Sequence, residues 1–250
     1  IRRKEEYWDS ISNFTMKVLY LIQGVNPKRI VELTNVHNKK IVIDFGVDEL
    51  ISIEKFKTRI ESNGNFLFDG RPADLSRIKN KLFQKEKASI EITRLGRNKN
   101  MFVFANGIYD NGVWNEIDKS GFVELGADHY YIPVLGNIQS EDNDDLRNYR
   151  RFAHIANDTS FEQWSKKIRT VYGDNGIIGI AFSLYALYSD IIFDYTKAAP
   201  MMYLYGQRGS GKGTMANSLL NLFGQPQDPI MLGGASTVVG FMRKLGQFSN

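Results

Sequence analysis

The chain has 250 residues, of which 42% are apolar, 24% charged and 12% aromatic, and it is long enough for two modest domains. It contains no cysteine, which excludes disulfides and thiolate metal sites, and its three histidines, His37, His129 and His154, have no ligand spacing. The formal net charge of +4 is uneven: residues 1–100 carry 20 Lys/Arg against 13 Asp/Glu, residues 101–150 carry 3 against 9, and residues 151–250 carry 9 against 6. A basic first part of this kind can attract a nucleic-acid backbone.

Residues 1–14 open with IRRKEEYW, which lacks the apolar core of a signal peptide and reads as a tail cut from a longer chain. Residues 15–138 are expected to form an α+β domain. Within them Met16–Ile22, Arg29–Leu33, Lys40–Asp44, Ser89–Thr93 and Met101–Ala105 are β-branched or aromatic runs bounded by turn residues. The pairs Asn106-Gly107 and Asn111-Gly112 suit tight hairpin turns, which need positive φ angles. One helix is predicted near Ser52–Glu61. A second starts at Pro72 and buries Leu75, Ile78, Leu82 and Phe83, with Lys79, Lys81, Lys85 and Lys87 largely outside.

Residues 139–200 read as an acidic linker and a helical segment. The linker centres on Gly136 to Asn148, and Ser160 with Gln163 then makes a capping box. Phe161, Trp164, Ile168 and Val171 give the helix that follows an apolar stripe, and Gly173 ends it. The next helix, from about Asn175 to Tyr195, is apolar nearly all round. Its Phe182, Tyr185, Tyr188 and Phe193 are expected in a core rather than a ligand box. Asp190 and Asp194 interrupt the stretch, so it is too short for a membrane span, and a cytoplasmic protein is expected.

Residues 201–250 change period again. Met201–Tyr205 reads as a strand, Gly206–Gly211 as a loop and Lys212–Phe223 as a helix ended by Gly224. A turn, a second strand at Ile230–Leu232 and a helix from Ser236 to about Gln247 are expected after it. The whole is an α+β N-terminal region followed by a helical segment and the start of an α/β P-loop NTPase core.

The motif GQRGSGKGT, Gly206 to Thr214, carries the chemistry. A phosphate-binding loop needs glycines because its backbone must wrap the phosphates with N–H groups pointing inward. It must also lead into a helix, whose first N–H groups lack partners and carry partial positive charge. Gly206, Gln207, Arg208, Gly209, Ser210, Gly211, Lys212, Gly213 and Thr214 are the candidate nucleotide-binding residues, and Lys212 is the candidate catalytic cation for the β and γ phosphates of ATP. One feature departs from the usual GxxxxGK[ST] spacing. Gly213 stands where a Mg²⁺-contacting hydroxyl is expected, and the hydroxyl follows one residue later at Thr214, the candidate Mg²⁺ contact, about 100° further around the helix.

From Thr170 to Asn250, and most specifically around the P-loop, the chain resembles the ATPase part of bacterial and phage primase–helicase proteins encoded on mobile elements. The segments FANGIYDNGVW, HYYIP and VLYLI…PKRIVELTN are similar to the region that joins primase to helicase in those proteins. The resemblance implies a superfamily 3-like or AAA+ helicase core, ATP and Mg²⁺ as ligands, single-stranded or forked DNA as partner, and a homo-oligomer, in ring form. It also implies a strand ending in an acidic pair after the Ser236 helix, which the sequence to Asn250 does not reach. Other classes share parts of the pattern. GKGT also looks like the nucleoside-monophosphate kinase loop GxPGxGKGT, although Arg208 stands at the proline. A non-catalytic nucleic-acid- or partner-binding module would instead use Lys79, Lys81, Lys85, Lys87, Arg94, Arg97 and Lys99 as a phosphate-tracking face. An AAA+ remodeller of proteins would share every ATPase residue.

Overall fold

The computed structural model describes residues 10–24, 26–136, 138 and 147–226, which form a mixed α+β structure with two sheets. The N-terminal tail before residue 10, the expected strand Ile230–Leu232 and the expected helix Ser236–Gln247 lie outside the described residues. The described residues fall into two compact units, one within Ile1–Glu91 and Glu124–Pro133, the other within Ile92–Val123 and Val134–Asn250.

In the first unit β1 (Phe14–Gln23), β2 (Lys28–Asn35) and β3 (Lys40–Gly46) form an antiparallel meander. A register shift between Val18 and Tyr20 changes which side chains of β1 face the helices. Helices α1 (Val47–Ile51), α2 (Ile53–Glu61) and α3 (Pro72–Phe83) then carry the chain across to β4 (Lys87–Glu91), which pairs parallel with β1. A parallel partner requires such a crossover. Ser52 caps α2 and Pro72 opens α3 at the expected positions. With β9 (Phe122–Leu125) and β10 (Asp128–Tyr131) the sheet order is β3-β2-β1-β4-β10-β9.

The helices cover one face of this sheet. Phe14, Val31, Leu33, Ile43 and Phe45 meet Phe56, Ile60 and Leu75, all buried. The Phe45 and Phe56 rings stack at 5.4 Å between centroids, and Phe68 meets Phe56 edge-on at 5.3 Å. At the end of α3 the Arg29 guanidinium lies 3.7 Å from the Phe83 ring centre and donates to both carboxylate oxygens of Glu86, at 2.7 and 3.3 Å. Lys87, expected on the outer side of the helix, instead begins β4 and donates to Glu124 at 3.3 Å. That bond, with a second from the Tyr20 hydroxyl, holds the exposed Glu124 carboxyl below the usual carboxylate range.

The second unit begins with β5 (Gly96–Asn98), β6 (Met101–Phe104), β7 (Gly107–Asp110) and β8 (Val113–Glu116), an antiparallel four-stranded meander. Asn111 and Gly112 both have positive φ, 48° and 79°, in the hairpin that joins β7 to β8. The other Asn-Gly pair works differently. Gly107 starts β7, where a side chain would strike the Asn115 carbonyl at 2.4 Å and the Trp114 ring at 2.6 Å. Asn106 instead clamps the main chain of His154, donating to its carbonyl and accepting from its N–H, both at 2.8 Å. This seats His154 against Trp114 at 4.3 Å and Phe152 on Phe104 at 5.0 Å.

Helices α4 (Arg147–Arg150), α5 (Phe161–Leu187), α6 (Ser189–Thr196) and α7 (Lys212–Leu220) follow. Ser160 and Gln163 form the expected capping box of α5, and Gly173 (φ 58°, ψ −135°) breaks the helix in two. The expected core burial of the segment from Asn175 to Tyr195 is corrected. Phe182 and Tyr185 are half-buried, while Ile177, Ile178, Tyr188, Phe193 and Tyr195 are exposed. Cover reaches this segment mainly on its small-residue side, at Gly176, Gly179 and Ser183, so the other apolar faces stay open among the described residues.

The expected strand at Met201–Tyr205 is corrected in the same way. The segment alternates, with Met202 and Leu204 packed inward and Met201, Tyr203 and Tyr205 85–93% exposed, but it joins no ladder among the described residues. Among the described residues no single helix is long and apolar enough to cross a membrane; α5 and α6 pass that test only jointly, as a pair bent by 85°.

Phe56 is fully buried between two aromatic partners, so Phe56→Ala is expected to lower the unfolding free energy by about 3–5 kcal/mol in a denaturant titration.

Candidate functional site

Helix α7 is placed by its packing on α5. Ile168, Met215 and Leu219 form a buried cluster, with Trp164, Tyr172, Ile180, Met202 and Leu204 packed around it. A side chain at Gly179 would stand 2.8 Å from the Met215 methyl and 2.9 Å from a Leu219 methyl, so the glycine lets the two helices approach closely. The Trp164 indole donates to the Ser218 carbonyl at 3.3 Å and fixes α7 along its own axis. The break at Gly173 brings the second half of α5 against the first, where a β-carbon at Gly176 would stand only 2.7 Å from the Ile168 carbonyl oxygen.

The loop Gly206–Gly211 leads straight into α7. Gly209 and Gly211 both have φ of 82°, a left-handed conformation that side-chain-bearing residues rarely adopt. Gly211 is the N-cap and supplies no capping side chain, and the first helical bond is donated by the Met215 N–H to the Gly211 carbonyl at 2.9 Å. The N–H groups ahead of Met215 at the helix start are therefore available to an anion. The Lys212 ammonium folds back over the loop and donates to the Gly206 carbonyl at 2.8 Å, the Gln207 carbonyl at 2.6 Å and the Ser210 hydroxyl at 3.2 Å. Its three protons thus all find oxygen at one place.

A cleft of about 500 Å³ opens beside the loop, within the size range of small-molecule sites. Gly206, Ser210, Gly211 and Lys212 form its polar end, and Met202 to Tyr205 and Met215 form its floor. Of the other candidate residues, Gln207 contributes its carbonyl to Lys212, and Arg208 and Gly209 form the exposed turn at the loop tip. Gly213 and Thr214 lie exposed in the first turn of α7. The Thr214 hydroxyl makes no hydrogen bond among the described residues, and no group of three His, Asp or Glu side chains suited to a metal occurs among them.

Tyr172, Asn175 and Ile178 also line the cleft, and sequence reasoning did not single them out. They flank the Gly173 break, so a glycine between two apolar helices was the signal available. The seven cations considered as a phosphate-tracking face are divided between the two units. Lys79, Lys81, Lys85 and Lys87 belong to the first, where Lys87 bonds Glu124. Arg94, Arg97 and Lys99 belong to the second, where Arg97 pairs with Asp190 at 3.4 Å. Neither a protein-family model nor a curated protein matches this sequence.

Two glycine substitutions should move stability in opposite directions. Gly176→Ala drives a β-carbon into backbone and is expected to cost about 1–3 kcal/mol, although alanine is the better helix former. Gly213→Ala meets nothing within 4 Å and is expected to stabilise α7 by up to about 1 kcal/mol. Thermal unfolding of both variants checks the sign of each.

Proposed function

We propose that the chain is the ATP-binding portion of a DNA helicase or replication ATPase of the primase–helicase type. In this proposal it works in the cytoplasm as a homo-oligomeric ring on single-stranded or forked DNA. The observation that carries the nucleotide part is the Lys212 ammonium, gathered by Gly206, Gln207 and Ser210 at the mouth of a glycine loop whose helix start lacks a capping side chain. The DNA and ring assignments rest on the resemblance of the loop and its flanks, and the P-loop core fold is part of the same proposal.

Hydrolysis of ATP transfers the γ-phosphoryl group to water, and the protein's share of that chemistry is positioning and charge neutralisation. The backbone N–H groups of the loop and the first turn of α7 hold the phosphate oxygens. Lys212 exchanges its loop oxygens for those of the β and γ phosphates and so offsets charge that builds on the leaving diphosphate. The hydrophobic segment Met202–Tyr205 beside the loop, with Tyr172 and Ile178, gives the cleft an apolar wall for a base. The described residues offer Mg²⁺ a hydroxyl, Thr214, with no competing hydrogen bond among them. When bound with the triphosphate, the ion supplies further neutralisation of the β and γ phosphates.

Displacement of a fluorescent ATP analogue by unlabelled ATP measures the nucleotide part. Lys212→Ala is expected to weaken binding by roughly 10- to 100-fold, the worth of charge-assisted hydrogen bonds to phosphate, with an unchanged circular dichroism spectrum. Wild-type affinity in that variant sinks the P-loop assignment.

A further inference from the structure

A second cleft, of about 410 Å³, lies in the second unit where the β5–β7 face of the four-stranded sheet meets the bend between α5 and α6. Tyr188 stands at that bend. Its φ of −118° and ψ of 21° end one helix and start the next, and the residue is 53% exposed. The same cleft is lined by Phe102 and Tyr109, cross-strand partners on β6 and β7. Tyr109 is held in place by a 3.2 Å hydrogen bond between its hydroxyl and His154 Nε2.

The polar groups lie at the rim. The Arg97 guanidinium sits 5.5 Å from the Tyr188 ring centre and pairs with Asp190 at 3.4 Å, which orients it and offsets its charge in part. Lys99 is exposed at the tip of the β5–β6 hairpin, with φ of 54°, and makes no ion pair among the described residues. Asn111, in the next hairpin, adds an amide. The cleft therefore offers flat aromatic faces, one uncompensated cation and an amide able both to donate and to accept.

A purely apolar ligand would use the rings and waste the cation. A free phosphate would use the cation and leave the rings bare. A nucleotide unit matches all three features, with a π-face for the rings, a phosphate for Lys99 and base edges for Asn111. The cleft has room for about one such unit, and a base can enter it only when unstacked and unpaired.

We propose that this cleft binds one nucleotide of a single-stranded nucleic acid, with its base against Tyr188 and Phe102 and its phosphate beside Lys99. The proposal deepens the DNA-acting function proposed above by giving the strand a surface, and it rests on that function for the choice of a strand over a free nucleotide. Because Asp190 offsets Arg97, stacking carries most of the affinity and the salt dependence contributed by this cleft is shallow.

The test is fluorescence anisotropy of the whole 250-residue chain with fluorescein-labelled oligothymidylate, a matched duplex and thymidine monophosphate as competitor. The single strand is expected to bind more tightly than either. Tyr188→Ala is expected to weaken binding roughly 5- to 100-fold, and Tyr188→Phe to stay within about threefold of wild type. Lys99→Asn, which keeps a residue tolerant of positive φ, is expected to reduce the slope of log K against log salt by about 0.7. Absence of oligonucleotide binding, equal binding of duplex or monophosphate, or wild-type behaviour of both Tyr188→Ala and Lys99→Asn overturns the proposal. Should Tyr188→Ala fail to fold, the salt slope of Lys99→Asn decides alone. Displacement of the ATP analogue is followed in parallel. A chain that binds the strand with these dependences but not ATP loses the ATPase function and keeps this cleft, and one that binds ATP normally while ignoring both substitutions does the opposite.

Discussion

Gly179 has no side chain where α7 crosses α5, and the position of the glycine loop before α7 follows from that closeness. Met215 and Leu219 reach into the space a β-carbon would fill, so the helix after the loop is seated by van der Waals contact along one narrow stripe. Trp164 adds a directional bond to Ser218, beside Leu219 on α7, which opposes sliding or rotation on that stripe. With α7 fixed, the start of its first turn is fixed too, and Gly209 and Gly211 make the reversal from the extended Met201–Tyr205 segment in the little chain that remains. The order of causes runs from a packing glycine to a helix position, and from there to the uncapped N–H groups at the start of α7.

That order explains why the lysine is where it is. Lys212 is the first residue of α7, so its stem leaves the helix end and turns back across the loop, reaching the carbonyls of Gly206 and Gln207. An ammonium surrounded by carbonyl and hydroxyl oxygens is held without being neutralised, because none of those partners carries a full negative charge. Under the proposed function, a polyphosphate would recruit this cation by exchanging one set of oxygens for a more negative one. A carboxylate partner would have held Lys212 more firmly and made that exchange costly.

Local signals in the sequence were read correctly where a single residue type has a single physical use. Ser160 with Gln163 caps α5, Pro72 opens α3, Gly173 breaks a helix and Gly224 ends the turn after α7, all at positions set by backbone chemistry alone. What could not be read was which surfaces would find cover. The stretch from Asn175 to Tyr195 is apolar all round, and such composition is compatible with burial on every side or on one. In the structure only the small-residue side of its first half is packed closely. Met201–Tyr205 keeps the alternation of a strand, but alternation cannot supply a ladder partner, and none is present among the described residues. The Asn106-Gly107 pair reads as a positive-φ turn, but neither residue takes a positive φ and Gly107 already belongs to β7; the clamp of Asn106 on His154 depends on a residue 48 positions away that no local pattern announces.

The candidate site was legible in its charge and glycines and illegible in its walls. The glycines and the lysine of GQRGSGKGT are plain in the sequence, but Tyr172, Asn175 and Ile178 come to the cleft only because Gly173 turns the chain between two helical runs. The same half of α5 ends at Leu187 and Tyr188, which line the second cleft. One straight run of helix, from Asn175 to Leu187, thus borders a cleft at each end, about 20 Å apart at 1.5 Å per residue. Gly176 against the Ile168 backbone and Gly179 against Met215 and Leu219 hold this run in place, so the walls of both clefts depend on the same stripe of small residues.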